Sequence, residues 1–110
     1  MAWTVLVHPD AEEELNELPS GERVAVDAAI DKLCAIGASL LFPHSSNVQT
    51  ANNLRELRPR QGRCRWRAFY RQIGDFFIIG SVGPEAGVDP RGFRKSVIVA
   101  EKRLDELEED

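Results

Sequence analysis

The 110-residue sequence lacks several features that mark whole classes of protein. It has only two cysteines, Cys34 and Cys64, which are too few for a disulfide framework or a zinc site. No run of apolar residues approaches the ~20 that cross a bilayer. The N-terminus has neither the basic start nor the long apolar stretch of a signal peptide. These absences predict a cytoplasmic protein with reduced thiols and no membrane partner.

The common catalytic signatures are also missing. The chain has no glycine-rich phosphate loop, no HExxH, no GxSxG and no Cys–His pair at metal-ligand spacing. The motifs therefore give no sign of a cofactor.

Basic residues are scarce at both ends of the chain. Residues 1–40 hold eight acids and two bases, and residues 101–110 hold six acids and two bases. Residues 54–75 reverse this balance, with seven bases and two acids, although the whole chain has a net charge of −4. Such an uneven distribution of charge indicates what the protein binds. The basic middle predicts either an anion-binding surface or a face that the acidic helices neutralise.

The basic middle contains a series of arginines at alternate positions. Side chains two apart on a strand share a face, so a strand over residues 63–71 would carry an arginine series on one side. Its members are Arg63, Arg65, Arg67 and Arg71. Cys64, Trp66, Ala68 and Tyr70 would face the core. Guanidinium groups fit phosphate with two parallel hydrogen bonds, so the series is a candidate track for a nucleic-acid backbone; the alternative is a solvated face.

Hydrophobic periodicity and turn residues predict a mixed order of elements. The order is strand, two helices, an irregular segment, three meander strands and a closing helix. The predicted bounds are Trp3–Val7, 9–18, 21–36, 38–53, 54–60, 63–73, 76–82 and about 90–108. The first strand can join the meander sheet and the helical hairpin can cover one face, which predicts an α+β two-layer sandwich in one domain.

This order and several short motifs resemble the HigB-like toxins of the RelE/ParE superfamily, from bacterial type II toxin–antitoxin systems. The matching segments are Leu54–Arg58, Trp66–Tyr70, Phe76–Val82 and Ala100–Leu104. The resemblance implies a ribosome-dependent mRNA endonuclease without a metal, in which a ribose 2′-hydroxyl attacks the adjacent phosphorus. It also implies a cognate antitoxin as partner, beside mRNA and the ribosome.

The resemblance implies site residues only where motifs match. Arg58 and Arg67 occupy family-matching positions and would contact the phosphate and stabilise the transition state. Many HigB-like toxins carry a lysine pair after the apolar strand. Here Val82–Glu85 stands in that place, and Arg91, Arg94 and Lys95 follow later in the chain as candidate substitutes.

Other site residues come from the sequence pattern alone. Arg60, Arg63, Arg65 and Arg71 are candidate RNA contacts, and the loop residue His44 is a candidate proton-transfer group, since arginine is a poor base. Two other functions stay open at this point: a ParE-like protein that inhibits DNA gyrase by binding, and a decayed domain that only binds its partner.

Overall fold

A computed structural model describes residues 2–109, in which five strands form one sheet and three α-helices pack on it. The strands are β1 (Thr4–Val7), β2 (Ser45–Asn47), β3 (Arg55–Leu57), β4 (Trp66–Ile73) and β5 (Phe76–Pro84). The helices are α1 (Pro9–Asn16), α2 (Ser20–Ile36) and α3 (Pro90–Glu108), with short 3₁₀ turns at Gly37–Ser39 and Pro59–Gly62.

The sheet has the strand order β1-β5-β4-β3-β2. β1 runs parallel to β5, and the other neighbours are antiparallel. The predicted meander and the entry of the first strand into the sheet are therefore confirmed. The helices α1 and α2 carry the chain from β1 at one edge of the sheet to β2 at the other edge.

Helix starts follow local chemistry. His8 caps α1 by accepting a hydrogen bond from the Asp10 backbone N–H at 3.1 Å, with Pro9 in the first turn. Asp89 caps α3 by accepting from the Gly92 N–H at 3.0 Å. α2 begins at Ser20, one residue before its predicted start, and Pro19 occupies its cap position.

Both faces of the sheet are covered. The α1–α2 side holds a core that includes Leu15, Leu33, Tyr70 and Ile79. The α3 side holds a second core of Val48, Leu54, Phe69, Val97, Ala100 and Leu104. The α+β class is confirmed, and α3 lies opposite the helical hairpin, a placement that the sequence analysis left open.

A β-bulge beside Gly80 brings α3 close to the sheet. The register of β4 and β5 shifts between Phe69 and Tyr70, which pair with Ser81 and Ile79 and leave Gly80 unpaired. A Cβ on Gly80 would come within 2.9 Å of the Leu104 side chain. Glycine at this position therefore allows the close approach of α3.

The predicted strands around the arginine series are shorter than expected. β3 ends at Leu57 and β4 begins only at Trp66, so Arg63 and Arg65 precede the strand. Pro59 lacks a backbone N–H and begins a 3₁₀ turn, which ends the pairing of β3. Of the series, only Arg67 and Arg71 share a face of β4.

Candidate nucleic-acid interface

A cleft of about 340 Å³ lies between α2 and the Pro59–Gly62 turn. Its α2 wall includes Ala25, Ala28 and Ala29, whose small side chains leave the space open. Five basic side chains also line this cleft, and we therefore call it the basic cleft. They are Lys32, His44, Arg58, Arg60 and Arg63. Four predicted site residues therefore come together here: His44, Arg58, Arg60 and Arg63.

The arginines at the rim of the basic cleft are available to an anion. Arg60 and Arg63 are exposed, and neither forms an ion pair with a carboxylate of residues 2–109. The Nε atom of Arg63 donates to the Arg60 carbonyl at 3.1 Å, which leaves its terminal nitrogens without a protein partner in that range. Two guanidinium groups with open donors on one turn suit a phosphate ligand.

The turn that carries these arginines has an unusual backbone. Arg60 and Gln61 both have positive φ angles, 54° and 60°, a region that non-glycine residues rarely adopt. Backbone in this region concentrates at functional sites. Backbone bonds from Gly62 to Arg58 (3.2 Å) and from Cys64 to Pro59 (3.3 Å) hold the turn closed.

Cys64 fixes the turn to α2. Its Sγ donates to Glu22 Oε2 at 3.0 Å. Burial raises the pKa of the Cys64 thiol, and its hydrogen bond to the Glu22 carboxylate raises the pKa further. The thiol therefore stays protonated and acts as a structural donor, not as a nucleophile.

His44 lies on the loop before β2 and is tied to β3. Its carbonyl accepts from the Arg58 backbone N–H at 2.8 Å. Its Nδ1 lies 3.5 Å from the Lys32 Nζ. A lysine ammonium can only donate, so a hydrogen bond between the two groups has Nδ1 as its acceptor.

Arg67 is not exposed to a ligand. Only 2% of it is accessible. Its guanidinium donates to the carbonyls of Cys64 (2.7 Å) and Trp66 (3.1 Å), and to Glu85 Oε2 at 2.8 Å. Burial lowers the pKa of Arg67, although the Glu56 and Glu85 carboxylates oppose this. The structure therefore places this family-matching arginine under the surface, where it holds the start of β4 to the Glu85 loop.

Glu56 joins the two family-matching arginines. Its Oε1 lies 3.5 Å from Arg58 and 3.9 Å from Arg67, and accepts from Ser46 Oγ at 3.1 Å. Its Oε2 is buried and has no hydrogen-bond partner. Sequence reasoning missed this residue; the one signal was that it is the only acid between Leu54 and Arg71.

Arg71 lies far along β4 from the basic cleft. It is 5% exposed and donates to Asp105 and Glu108 of α3, both at 2.7 Å. It also donates to the Asn53 carbonyl at 2.9 Å. Burial lowers the pKa of Arg71, but its hydrogen bonds to Asp105 and Glu108 outweigh this and raise it overall. The expected RNA contact at Arg71 is thus not available in this structure, because acidic α3 neutralises this position.

Two of the remaining predicted residues lie at a second opening. Arg65 and Lys95 line a groove of about 470 Å³ between the end of β5 and the start of α3. Both are exposed, as is Arg94, which does not line either opening. Arg63 lines the first opening and Arg65 the second, with only Cys64 between them in the chain.

No metal site accompanies these residues within the described range 2–109, where no three His, Cys, Asp or Glu side chains come together in a suitable way. None of the helices in the same range is long and apolar enough to cross a bilayer.

The fold is similar to that of RelE toxins of known structure. A double arginine-to-alanine mutant of the Escherichia coli toxin RelE in the free state matches with a TM-score of 0.63 at 14% identity, over 89% of this chain and 96% of that one. The RelBE2 toxin–antitoxin complex from Mycobacterium tuberculosis matches with a TM-score of 0.58 at 19% identity, over 77% and 100%. An archaeal RelE–RelB complex from Pyrococcus horikoshii matches at 0.55 and 20% identity, over 76% and 96%.

Sequence comparison gives the family. No curated protein matches the chain by sequence. A profile of the "phage derived protein Gp49-like" family matches residues 13–76, more than half of the chain. The chain therefore belongs to the Gp49-like family, and its fold is that of the RelE toxins.

Proposed function

We propose that this protein is the toxin of a bacterial type II toxin–antitoxin system, of the HigB-like kind. It cleaves mRNA on the ribosome without a metal, blocks translation in the cytoplasm, and is neutralised by a cognate antitoxin. The observation that carries the proposal is the basic cleft. It combines an imidazole with exposed arginines that form no ion pair with residues 2–109, on a fold that RelE toxins share.

The basic cleft can bind and activate one phosphodiester. Arg60 and Arg63 grip the phosphate, and Arg58 reaches it from the end of β3. In the reaction, the 2′-oxygen loses its proton and forms a bond to phosphorus, and the bond to the 5′-oxygen breaks. The 5′-oxygen takes a proton from water, which gives a 2′,3′-cyclic phosphate and a 5′-hydroxyl end. The guanidiniums stabilise the extra charge on the phosphorane oxygens.

His44 is the group that accepts the 2′-hydroxyl proton. In the free protein the lone pair of Nδ1 faces the Lys32 ammonium. A bound phosphate is a better partner for that ammonium than a neutral ring nitrogen, because the phosphate is charged. Transfer of Lys32 to the phosphate frees the Nδ1 lone pair to act as general base.

Arg67 and Glu56 are positioning residues in this proposal. Glu56 contacts both Arg58 and Arg67, and Arg67 is fixed by carbonyls of the turn. Together they set the direction from which Arg58 enters the basic cleft. Arg65 and Lys95 extend the basic surface for the RNA on either side of the cleaved bond.

An antitoxin is the expected protein partner. The Mycobacterium tuberculosis and Pyrococcus horikoshii neighbours are toxin–antitoxin complexes. Arg60, Arg63 and Arg65 would attract an acidic segment. Such a segment can neutralise the protein by occupying the basic cleft.

The test is charge reversal on the exposed turn. We expect the Arg60→Glu/Arg63→Glu double variant, when induced in bacteria, to lose growth arrest and the new mRNA 5′ ends that primer extension maps. It should fold normally, since both side chains are exposed. Lys102→Glu, an exposed cation on α3 outside both openings, is the matched control and should keep full activity.

Three results would contradict the proposal. One is a double variant that still arrests growth and cleaves mRNA at the same positions. Another is a wild-type protein that stops replication while mRNA stays intact, which would identify a ParE-like gyrase inhibitor. The third is a wild-type protein that folds and causes no arrest, which would identify a domain that only binds a partner.

A further inference from the structure

Phe42 is an unusually exposed aromatic residue. Its relative exposure of 70% is the highest among the large hydrophobic residues of the described range. It lies on the loop between the Gly37–Ser39 turn and β2. A large apolar side chain left this open at the edge of a charged surface indicates a contact with a ligand.

The loop holds Phe42 at the mouth of the basic cleft. The backbone N–H groups of His44 and Ser45 both donate to the Leu41 carbonyl, at 3.0 and 3.2 Å, and close a tight turn around Phe42. Arg58 Nε donates to the Pro43 carbonyl at 3.0 Å. The ring is therefore displayed by a hydrogen-bonded turn that is anchored to an arginine of the basic cleft.

The same arginine also contacts the ring. The Arg58 guanidinium carbon lies 4.9 Å from the Phe42 ring centroid, a cation–π contact. Since most of the residue remains exposed, the ring still offers a surface to a planar group. Aromatic faces next to arginine are the usual stacking surfaces for unpaired bases.

We propose that Phe42 is a stacking platform for one unpaired nucleobase of the RNA whose phosphate lies in the basic cleft. This inference rests on the proposed function and adds a base-binding site to its phosphate site. Stacking uses the π-face that every base has, so the platform selects single-stranded over paired RNA and not one base over another. An RNA strand fits both features at once, because it alternates anionic phosphates with flat bases.

The probe is a fluorescent octamer of 2′-O-methyl uridine. It cannot be cleaved, because it lacks the free 2′-hydroxyl that would attack the phosphorus. We expect Phe42→Ala to raise its Kd about 10-fold or more, and Phe42→Tyr, which keeps an aromatic face, to leave the Kd nearly unchanged. Phe76→Ala is the matched control, since Phe76 is a 46% exposed phenylalanine at the start of β5, away from the basic cleft. It should bind like the wild type.

A second probe identifies the contact as stacking. It is a series of octamers, each of which lacks the base at one different position. One of them should bind the wild type as weakly as the full octamer binds Phe42→Ala. That octamer should lose nothing further with Phe42→Ala, because the base and the ring act as a pair.

The outcomes separate this inference from the proposed function. If Arg60→Glu/Arg63→Glu abolishes octamer binding while Phe42→Ala leaves it intact, the platform is wrong and the phosphate site stands. If the wild type binds no octamer and induces no mRNA cleavage, both fail. If Phe42→Ala binds RNA normally but escapes neutralisation by the antitoxin, the ring is a protein contact and the platform is overturned.

Discussion

Arg63 and Arg71 belong to the same series in the sequence but have different surroundings. Arg63 is exposed and has no carboxylate partner within residues 2–109, whereas Arg71 is buried against Asp105 and Glu108. A buried guanidinium must be paired and hydrogen-bonded, or its desolvation would destabilise the fold. Arg71 therefore attaches α3 to the sheet, whereas Arg63 stays accessible to the ligand that we propose.

This difference predicts the effect of Arg71→Ala. The substitution removes two ion pairs and the hydrogen bonds to the Asn52 and Asn53 carbonyls. Asp105 and Glu108 are 63% and 45% exposed and regain water, so we expect a loss of about 1–3 kcal/mol, below the full cost of an orphaned buried charge. Urea unfolding followed by circular dichroism measures it.

Arg65→Ala is the control for this prediction. Arg65 is exposed and has no ion pair with residues 2–109, so its removal should change the free energy of unfolding by less than about 0.5 kcal/mol. An Arg71→Ala variant with wild-type stability and weakened RNA binding would instead restore Arg71 to the RNA-binding surface.

At the level of elements, periodicity predicted the helices and the meander because each buries a continuous apolar stripe. β2 was missed because Ser45, Ser46 and Asn47 carry no strand pattern. It forms through pairing with β3 and through the Ser45–Tyr70 hydroxyl contact of 2.6 Å. The break between β3 and β4 is longer than the predicted strands over 54–60 and 63–73 allow. Alternation continues through residues 63–65 in the sequence, while Pro59 and the positive φ angles of the turn end the pairing.

The candidate site was predictable only in its residue types. The sequence indicated that arginines and His44 would meet a phosphate, but which arginines are buried depends on contacts with distant segments. Arg67 finds Glu85 and Arg71 finds α3, neither of which follows from the spacing of the series. Charge reversal at Arg67 would set a third acid beside Glu56 and Glu85 at a buried position, and we therefore expect it to destabilise the fold.

The α2 wall of the basic cleft gives a prediction at this scale. Ala28 is exposed and lines the cleft, and leucine is nearly as good a helix former as alanine. Ala28→Leu should therefore keep the fold but fill the space for the phosphate, and we expect mRNA cleavage to fall about 10- to 100-fold. A translation extract with primer extension measures the rate.

Ala35→Leu provides the comparison. Ala35 is exposed on the last turn of α2 and does not line the cleft. Equal cleavage rates in the two variants would show that the space between α2 and the turn is not part of the site.

For RNA binding by the whole molecule, the position of the charges matters more than the net charge. The net charge is −4, yet more than half of the acids of α1 and α3 form ion pairs within the protein. Glu14 binds Arg103 at 3.0 Å, for example, and Glu108 binds Arg71. Arg60 and Arg63 keep their charge for a ligand. An acidic protein can therefore bind RNA locally, because counterion release depends on the phosphates contacted.

This local view predicts the salt dependence of binding. For single strands, log K falls by about 0.7 per phosphate contact for each unit of log salt concentration. Contacts from Arg58, Arg60 and Arg63 should contribute about −2 to the slope for the uncleavable uridine octamer. Arg60→Gln/Arg63→Gln should make the slope less steep by about 1.4, while Lys102→Gln, with the same change per residue, should not alter it. If Lys102→Gln changes the slope as much per residue as the substitutions in the basic cleft do, the overall charge of the protein attracts the RNA. The basic cleft would then not be the binding site.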